Sequence, residues 1–418
     1  MSRHRFRALF LINFSGVTLD NLIKNVLIIF VGFEAQSEQV AAQLTAIAMA
    51  LFILPCLLLS GIVGQIADRY SKMFLFKQLK GFEYLVIAFL SYCLFEKNIY
   101  LLCFLLLPIG LVACLSSPLK LAMIDDVVPR AQRSRTTTLF QSSSVIAVLL
   151  GTGIGGFLMN ININITIIGI MTLTLISAIL VLSQKNPDGI PIKSPQEPLR
   201  FKGQYKKMQL IISHDPKLLL GVSLIAYYWF FINLSYSQTA TYAKYQLQVD
   251  EFHVTMLLTT MTLAIACGSM LYLFLNNRVN QGIITFLGCI GFSVGYLMLS
   301  SNSLSSSQHL FLNIMDEFTQ ALIIIFLLNL LSSLLLFSGF ALLQVNGADA
   351  QKAAIFAANN FVCALSVITS SGIMGIVLHY DINVKQLFFI FSILSVLGAL
   401  FLFKQHHNQI KLTPQPIP

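Results

Sequence analysis

Gly64-Gln65-Ile66-Ala67-Asp68-Arg69-Tyr70-Ser71-Lys72 lies between two long apolar segments, and its surroundings decide the fold. The pattern Gly-x-x-x-Asp-Arg-x-(small)-Lys concentrates charge and a glycine in a short loop at a membrane face. Gly64 lets two helices approach closely. Asp68 is suited to receive the N-terminal amides of a neighbouring helix, while Arg69 and Lys72 hold the loop on the cytoplasmic side. This loop, together with Asp125 and Asp126 at the close of the fourth apolar segment, reads as a conformational latch in which either aspartate can pair with Arg69.

Working outward from that loop, the chain alternates apolar stretches of spanning length with short polar connections. The expected helices lie near 8–33, 40–63, 74–95, 99–124, 136–159 and 162–183, then near 217–246, 252–275, 281–300, 320–345, 352–379 and 385–404. Between the two sets, 184–216 is polar, basic and proline-rich (Pro187, Pro191, Pro195, Pro198), as a cytoplasmic linker would be. The expected fold is all-α and polytopic, with about twelve transmembrane helices in two six-helix bundles. The bundles are 1–183 and 217–404, followed by a cytoplasmic tail at 405–418. The stretch Asn302 to Thr319 is Ser-rich and then amphipathic, suggesting an outer loop with a short surface helix carrying Asp316 and Glu317. The internal repeat is faint: Gly268 through Asn277-Arg278-Val279-Asn280 answers the first loop, with Asn where Asp68 stands.

Composition agrees. Of 418 residues, 56% are hydrophobic and only 10% charged, with a mean hydropathy of +0.79, too little charge for a water-facing globule. The formal charge of +9 raises the question of nucleic acid, and the placement of the charge answers it. Arg3, Arg5 and Arg7, the 64–72 loop, Arg130 to Arg135, and Lys193 to Lys207 carry the excess. The alternate loops, Glu34 to Gln39, Asn160 to Asn164 and Ser300 to Gln308, carry almost none. That is the positive-inside rule with both termini cytoplasmic, and no nucleic-acid partner is needed. The basic, then apolar, N-terminus is interrupted by Asp20, Asn21 and Lys24 and reads as a retained first helix.

No enzyme site emerges from the motifs. The seven cysteines lie inside apolar segments without C-x-x-C spacing, and the seven histidines sit in loops or at helix ends, so no metal site or cofactor is implied. Gly151-x-Gly153-x-x-Gly156 matches a dinucleotide fingerprint in letters only. It lies in an apolar helix, where Gly151, Gly155 and Gly156 favour close helix packing.

Intramembrane charge is a better guide to function, because an ionisable group in hydrocarbon costs several kcal/mol unless paired or hydrated. Asp20 and Lys24 are spaced i, i+4 and share a face with Asn21 nearby. They either neutralise each other and lock the first helix, or line a central cavity and meet a substrate carrying both signs of charge. Lys120, after Ser116-Ser117-Pro118, either snorkels to the cytoplasmic face or joins that site. Glu83 and Lys244 are weaker candidates. Asn233, Gln238, Gln344, Asn359 and Asn360 supply neutral polar atoms within the second set.

The 64–72 loop resembles the loop between the second and third helices of the major facilitator superfamily. Several segments resemble its lysophospholipid-transporter branch. These are Leu19-Asp20-Asn21-Leu22-Ile23-Lys24-Asn25, Ser116-Ser117-Pro118-Leu119-Lys120, the run Ala147 to Gly156, Tyr228-Trp229-Phe230-Phe231 through Tyr242-Ala243-Lys244, Ala341-Leu342-Leu343-Gln344, and Ala357-Ala358-Asn359-Asn360. The resemblance implies an alternating-access secondary transporter, not an enzyme, in a bacterial inner membrane. It implies that Asp20, Asn21, Lys24, Lys120 and Asn360 line the path of a lysophospholipid or similar amphiphile. Membrane lipid is then the partner. That branch also occurs fused to an acyltransferase and a ligase, which this sequence lacks, so reacylation falls to a separate acyltransferase. Two rivals stand beside this reading: a proton-coupled transporter of a polar small molecule such as a siderophore or drug, and a non-transporting scaffold or sensor on the same fold.

Overall fold

The computed structural model describes residues 3–59, 72–127, 133–184, 215–276, 278–301, 316–346 and 352–412. Within them lie twelve helices: α1 (Arg3–Glu34), α2 (Glu38–Leu59), α3 (Lys72–Phe95), α4 (Ile99–Val127), α5 (Arg133–Ile161), α6 (Ile163–Leu182), α7 (Pro216–Tyr245), α8 (Glu251–Leu275), α9 (Gln281–Ser301), α10 (Glu317–Asn346), α11 (Lys352–Leu378) and α12 (Val384–Leu412). Ten are long and apolar enough to cross a membrane. The two that fall short are instructive. α3 carries Lys72, Lys77, Lys80 and Glu83, and the first half of α5 is Arg-, Ser- and Thr-rich, leaving an apolar run only over Ile146–Ile161.

Helix starts follow from local chemistry. Asn162, Asp215 and Asp250 are extended residues whose side chains accept from Asn164 N, Lys217 N and His253 N, capping α6, α7 and α8; Pro216 occupies the first turn of α7. The expected surface helix around Asp316 and Glu317 is corrected. Glu317 opens α10 itself, and Asp316 accepts from Thr319 N and Oγ1, so the acidic pair is the N-terminal signal of a long helix.

The packing repeats. α1 lies on α5 and α6, α2 on α4, and α3 on α4 and α6; α7 lies on α11 and α12, α8 on α10, and α9 on α10 and α12. The same neighbour pattern occurs twice, giving two six-helix bundles. They meet through α2 with α11, α5 with α8, and α1 and α2 with α7. Glycines set several of these approaches. A Cβ on Gly110 of α4 would stand 1.9 Å from Phe52 O of α2, and one on Gly156 of α5 would strike the Thr255 side chain of α8. On the outside, Leu85, Met270 and Leu273 are each 72% exposed, an apolar wall suited to lipid rather than water.

Candidate functional site

Along α1, Leu11, Phe14, Val17, Asp20, Asn21 and Lys24 are accessible at helical spacing, while Ile12, Asn13, Leu19, Leu22 and Ile23 between them are buried. From Asn25 to Gly32 the helix is buried all round. α7 behaves alike. Ser223, Ala226, Trp229, Phe230 and Tyr236 are accessible, and Ser237 to Ala243 are buried. Each of these two helices therefore carries an accessible stripe, and the stripes stop at Lys24 and at Tyr236. These two residues touch across the halves: Lys24 Nζ lies 4.7 Å from the Tyr236 ring centroid and 5.9 Å from that of Phe52 on α2. Tyr236 also donates to Asn25 Oδ1 at 2.8 Å.

Beyond that level the halves are stitched together. Gln238 Nε2 donates to Ala42 O at 3.1 Å, and Lys244 Nζ donates to Phe33 O at 2.6 Å. Tyr245 donates to Ala35 O at 3.0 Å. Glu38 Oε1 accepts from Gln246 Nε2 at 2.7 Å and from Val384 N at 2.8 Å. Lys244 thus serves the last carbonyls of α1, as a cation at a helix C-terminus should.

Behind the stripe lies the charge. Asp20 is within electrostatic reach of Lys24, of Lys80 and Glu83 on α3, and of Lys120 on α4. Lys80 Nζ stands 2.5 Å from Glu83 Oε2, both side chains are almost wholly buried, and the ammonium packs where Gly16 leaves room on α1. Lys120 is buried in the first bundle, not extended to the terminal face, because Asp20 and Glu83 supply the counter-charge that a snorkelling lysine seeks in water. The structure brings Asp20, Lys24 and Lys120 together. Asn21 sits beside them with its amide donating to Val17 O at 2.8 Å. Asn360 stands apart, exposed on α11, with no described hydrogen bond or ion pair to the cluster.

Lys80, Tyr236 and Phe52 were not singled out by the sequence. Lys80 had a readable signal, the i, i+3 spacing to Glu83 inside an apolar span, matching the reasoning that found Asp20 and Lys24. Tyr236 had none, since its meaning comes from the partner across the halves.

Gly151 and Gly155 set α5 against α1: a Cβ on Gly151 would stand 2.3 Å from Thr18 O, and one on Gly155 2.9 Å from Leu22 O. Asn13 donates to Ser144 Oγ at 2.8 Å and Asn25 to Thr152 Oγ1 at 3.0 Å along the same seam. Of the latch residues, Gly64, Asp68 and Arg69 lie outside the described residues, as do the side chains of Asp125 and Asp126; Lys72 opens α3. Among the described residues no group of three or more His, Cys, Asp or Glu side chains gathers to hold a metal ion.

A family model, the Major Facilitator Superfamily, matches residues 9–371. The chain belongs to that superfamily. Solved structures place it in the same fold at low sequence identity. The POT family transporter PepTSo superposes with a TM-score of 0.73 at 12% identity, over 99% of each chain. A bacterial homologue of the human lysosomal transporter Spinster, in an inward-facing and unoccupied conformation, gives 0.69 at 14%, over 100% of each chain. A D-xylose–proton symporter gives 0.65 at 15%, over 95% of this chain and 97% of its own. No curated protein matches the sequence. As a superfamily member the chain has a transporter fold, and the accessible stripes of α1 and α7 end where Lys24 meets Tyr236 across the two bundles.

Proposed function

We propose that this superfamily member is an alternating-access secondary transporter that carries lysophospholipid or a similar amphiphile across a bacterial inner membrane, with both termini cytoplasmic. The observation that carries the reading is the accessible stripe of α1 ending at Lys24, with Lys24, Lys80 and Lys120 set, among the described residues, against Asp20 and Glu83. Among the described residues, three cations against two carboxylates leave a positive excess, which suits a phosphate-bearing head group. Asp20 would receive an ammonium where the head group has one, and Asn360 would complete the polar lining from the second bundle. The acyl tail gains about 0.8 kcal/mol per buried CH₂, so it stays in lipid or in an apolar groove while the head crosses. Coupling of head-group binding to rocking of the halves supplies the transport step.

One observation favours a second reading. Asp20 lies within electrostatic reach of the buried Glu83, and two neighbouring acidic groups inside the membrane can relay a proton, so a proton-coupled transporter of a polar small molecule also fits.

Purified protein in liposomes separates the readings. Flipping of fluorescent lysophosphatidylglycerol is expected, lost in Asp20→Ala and in Lys120→Ala while membrane insertion persists. Uptake of a polar solute driven by a pH gradient, with Asp20→Asn abolishing its pH dependence, would select the second reading. Neither activity would leave a scaffold. Normal flipping by the Asp20→Ala, Lys120→Ala double variant would remove this site from consideration.

A further inference from the structure

Tyr236 is the last accessible side chain on α7 before the halves close, and Lys24 is the last on α1. Each ends its own stripe, and each is the other's partner. The Tyr236 ring covers the ammonium at 4.7 Å, and its hydroxyl is tied at 2.8 Å to Asn25, whose amide donates to Thr152 Oγ1 and to Asn21 O. One side chain of the second bundle thus engages both a cation of the proposed head-group site and the residue beside it. A ring face satisfies an ammonium only in part, through its quadrupole. An anionic oxygen satisfies it better, by a charge-assisted hydrogen bond.

We propose that Tyr236 is a positioning residue that couples head-group binding to movement of the two halves, by capping Lys24 until an anionic head group takes the ammonium. This rests on the reading of Lys24 as a head-group ligand. Ring and head group compete for one cation. An occupied Lys24 loses its cap, and a contact holding the halves together at this level goes with it. The ligand therefore binds the uncapped arrangement better, which is the differential affinity a conformational change requires. Tyr236 needs no contact with the substrate to act in this way.

The test uses the full chain in liposomes, with fluorescent lysophosphatidylglycerol as the flipping probe. Spin labels on the exposed residues Asn98 and Asp381 report separation of the halves on the face that Glu38 closes. Tyr236→Leu is expected to lower the lipid concentration for half-maximal flipping by between about two- and thirty-fold, the span of a cation–π contact, and to enlarge the population with the labels apart. Tyr236→Phe keeps the ring and should match the wild-type concentration. In a Lys24→Met background, where flipping is not the readout, Tyr236→Leu and Tyr236→Phe should give the same label distances. Tyr236→Met replaces the leucine variant if the latter is not recovered from the membrane. Unchanged half-maximal concentration and label distances in Tyr236→Leu would overturn the proposal. So would different label distances for Tyr236→Leu and Tyr236→Phe in the Lys24→Met background, which would mean that the ring acts through packing alone. If the wild-type protein flips no lysolipid, the proposed function fails, and the label distances still decide the cap by themselves.

Discussion

A lysine in the hydrocarbon region must find a counter-charge or water, and Lys80 has found Glu83 at 2.5 Å. Breaking such a pair leaves a buried charge uncompensated, which costs about 3–5 kcal/mol, whereas replacing both partners with apolar residues is often nearly neutral. Lys80→Met is therefore expected to lower the melting temperature of the detergent-purified protein sharply, and Lys80→Met with Glu83→Leu to recover most of the loss. Equal melting of the single and double variants would count against the pair as a unit. A smaller residue effect lies outside the membrane. Partial burial pushes the Asp250 carboxyl up, but hydrogen bonds from the His253 ring and backbone outweigh it, so the group sits below the ordinary carboxylate range. A depressed folded value means stability that is present above about pH 4 and lost as the pH falls through the folded value. Asp250→Ala should cost about 1 kcal/mol near neutral pH as a lost helix cap, and Asp250→Asn, which keeps the cap without titrating, should remove the acid-dependent part.

Among the elements, glycines and one glutamate decide how helices meet. Gly151 faces Thr18 O at a distance no Cβ tolerates, whereas Gly153, two residues on, has nothing within 4 Å. Gly151→Ala should therefore force α5 away from α1 and cost about 1–3 kcal/mol, while Gly153→Ala is tolerated; thermal melts of the two variants make the comparison. The expected packing set Gly151, Gly155 and Gly156 is the set with close neighbours, but which atoms each one meets comes only from the packing. Glu38 joins the start of α2 to the end of α7 and the start of α12 through a single oxygen. Glu38→Ala is expected to widen the Asn98–Asp381 label distances without unfolding the protein, since surface contacts of this kind contribute about 1 kcal/mol or less each. Its role was hidden in the sequence because Glu38 reads as an ordinary loop acid, and its partners arrive from the other bundle.

For the whole molecule, the proposed alternating access needs the stitched face to open when the stripe side closes. The proposed topology places Asn98 and Ser194 on opposite sides of the membrane. Cysteines at those two positions should react with an impermeant maleimide from opposite sides of right-side-out vesicles; labelling of both from one side would overturn the sidedness. Twelve helices near the expected bounds were legible in the sequence, because hydropathy over about 20 residues is a local property. α3 was legible despite its charges because the apolar residues around Lys80 and Glu83 keep the run continuous.

The sequence by itself determined that the chain is a bundle of membrane-spanning helices in two sets of six, since burial in lipid is written in composition and span length. It also marked Asp20, Lys24 and Lys120 as charges needing an explanation. The tertiary structure alone decided which charges meet. Asp20, Glu83, Lys80 and Lys120 come from three helices, and Tyr236 reaches Asn25 across 211 residues of chain. The rotation of each helix about its axis sets these meetings. That rotation follows from close approaches such as Gly151 on Thr18 and Gly156 on Thr255, whose partners no local pattern in the sequence can name.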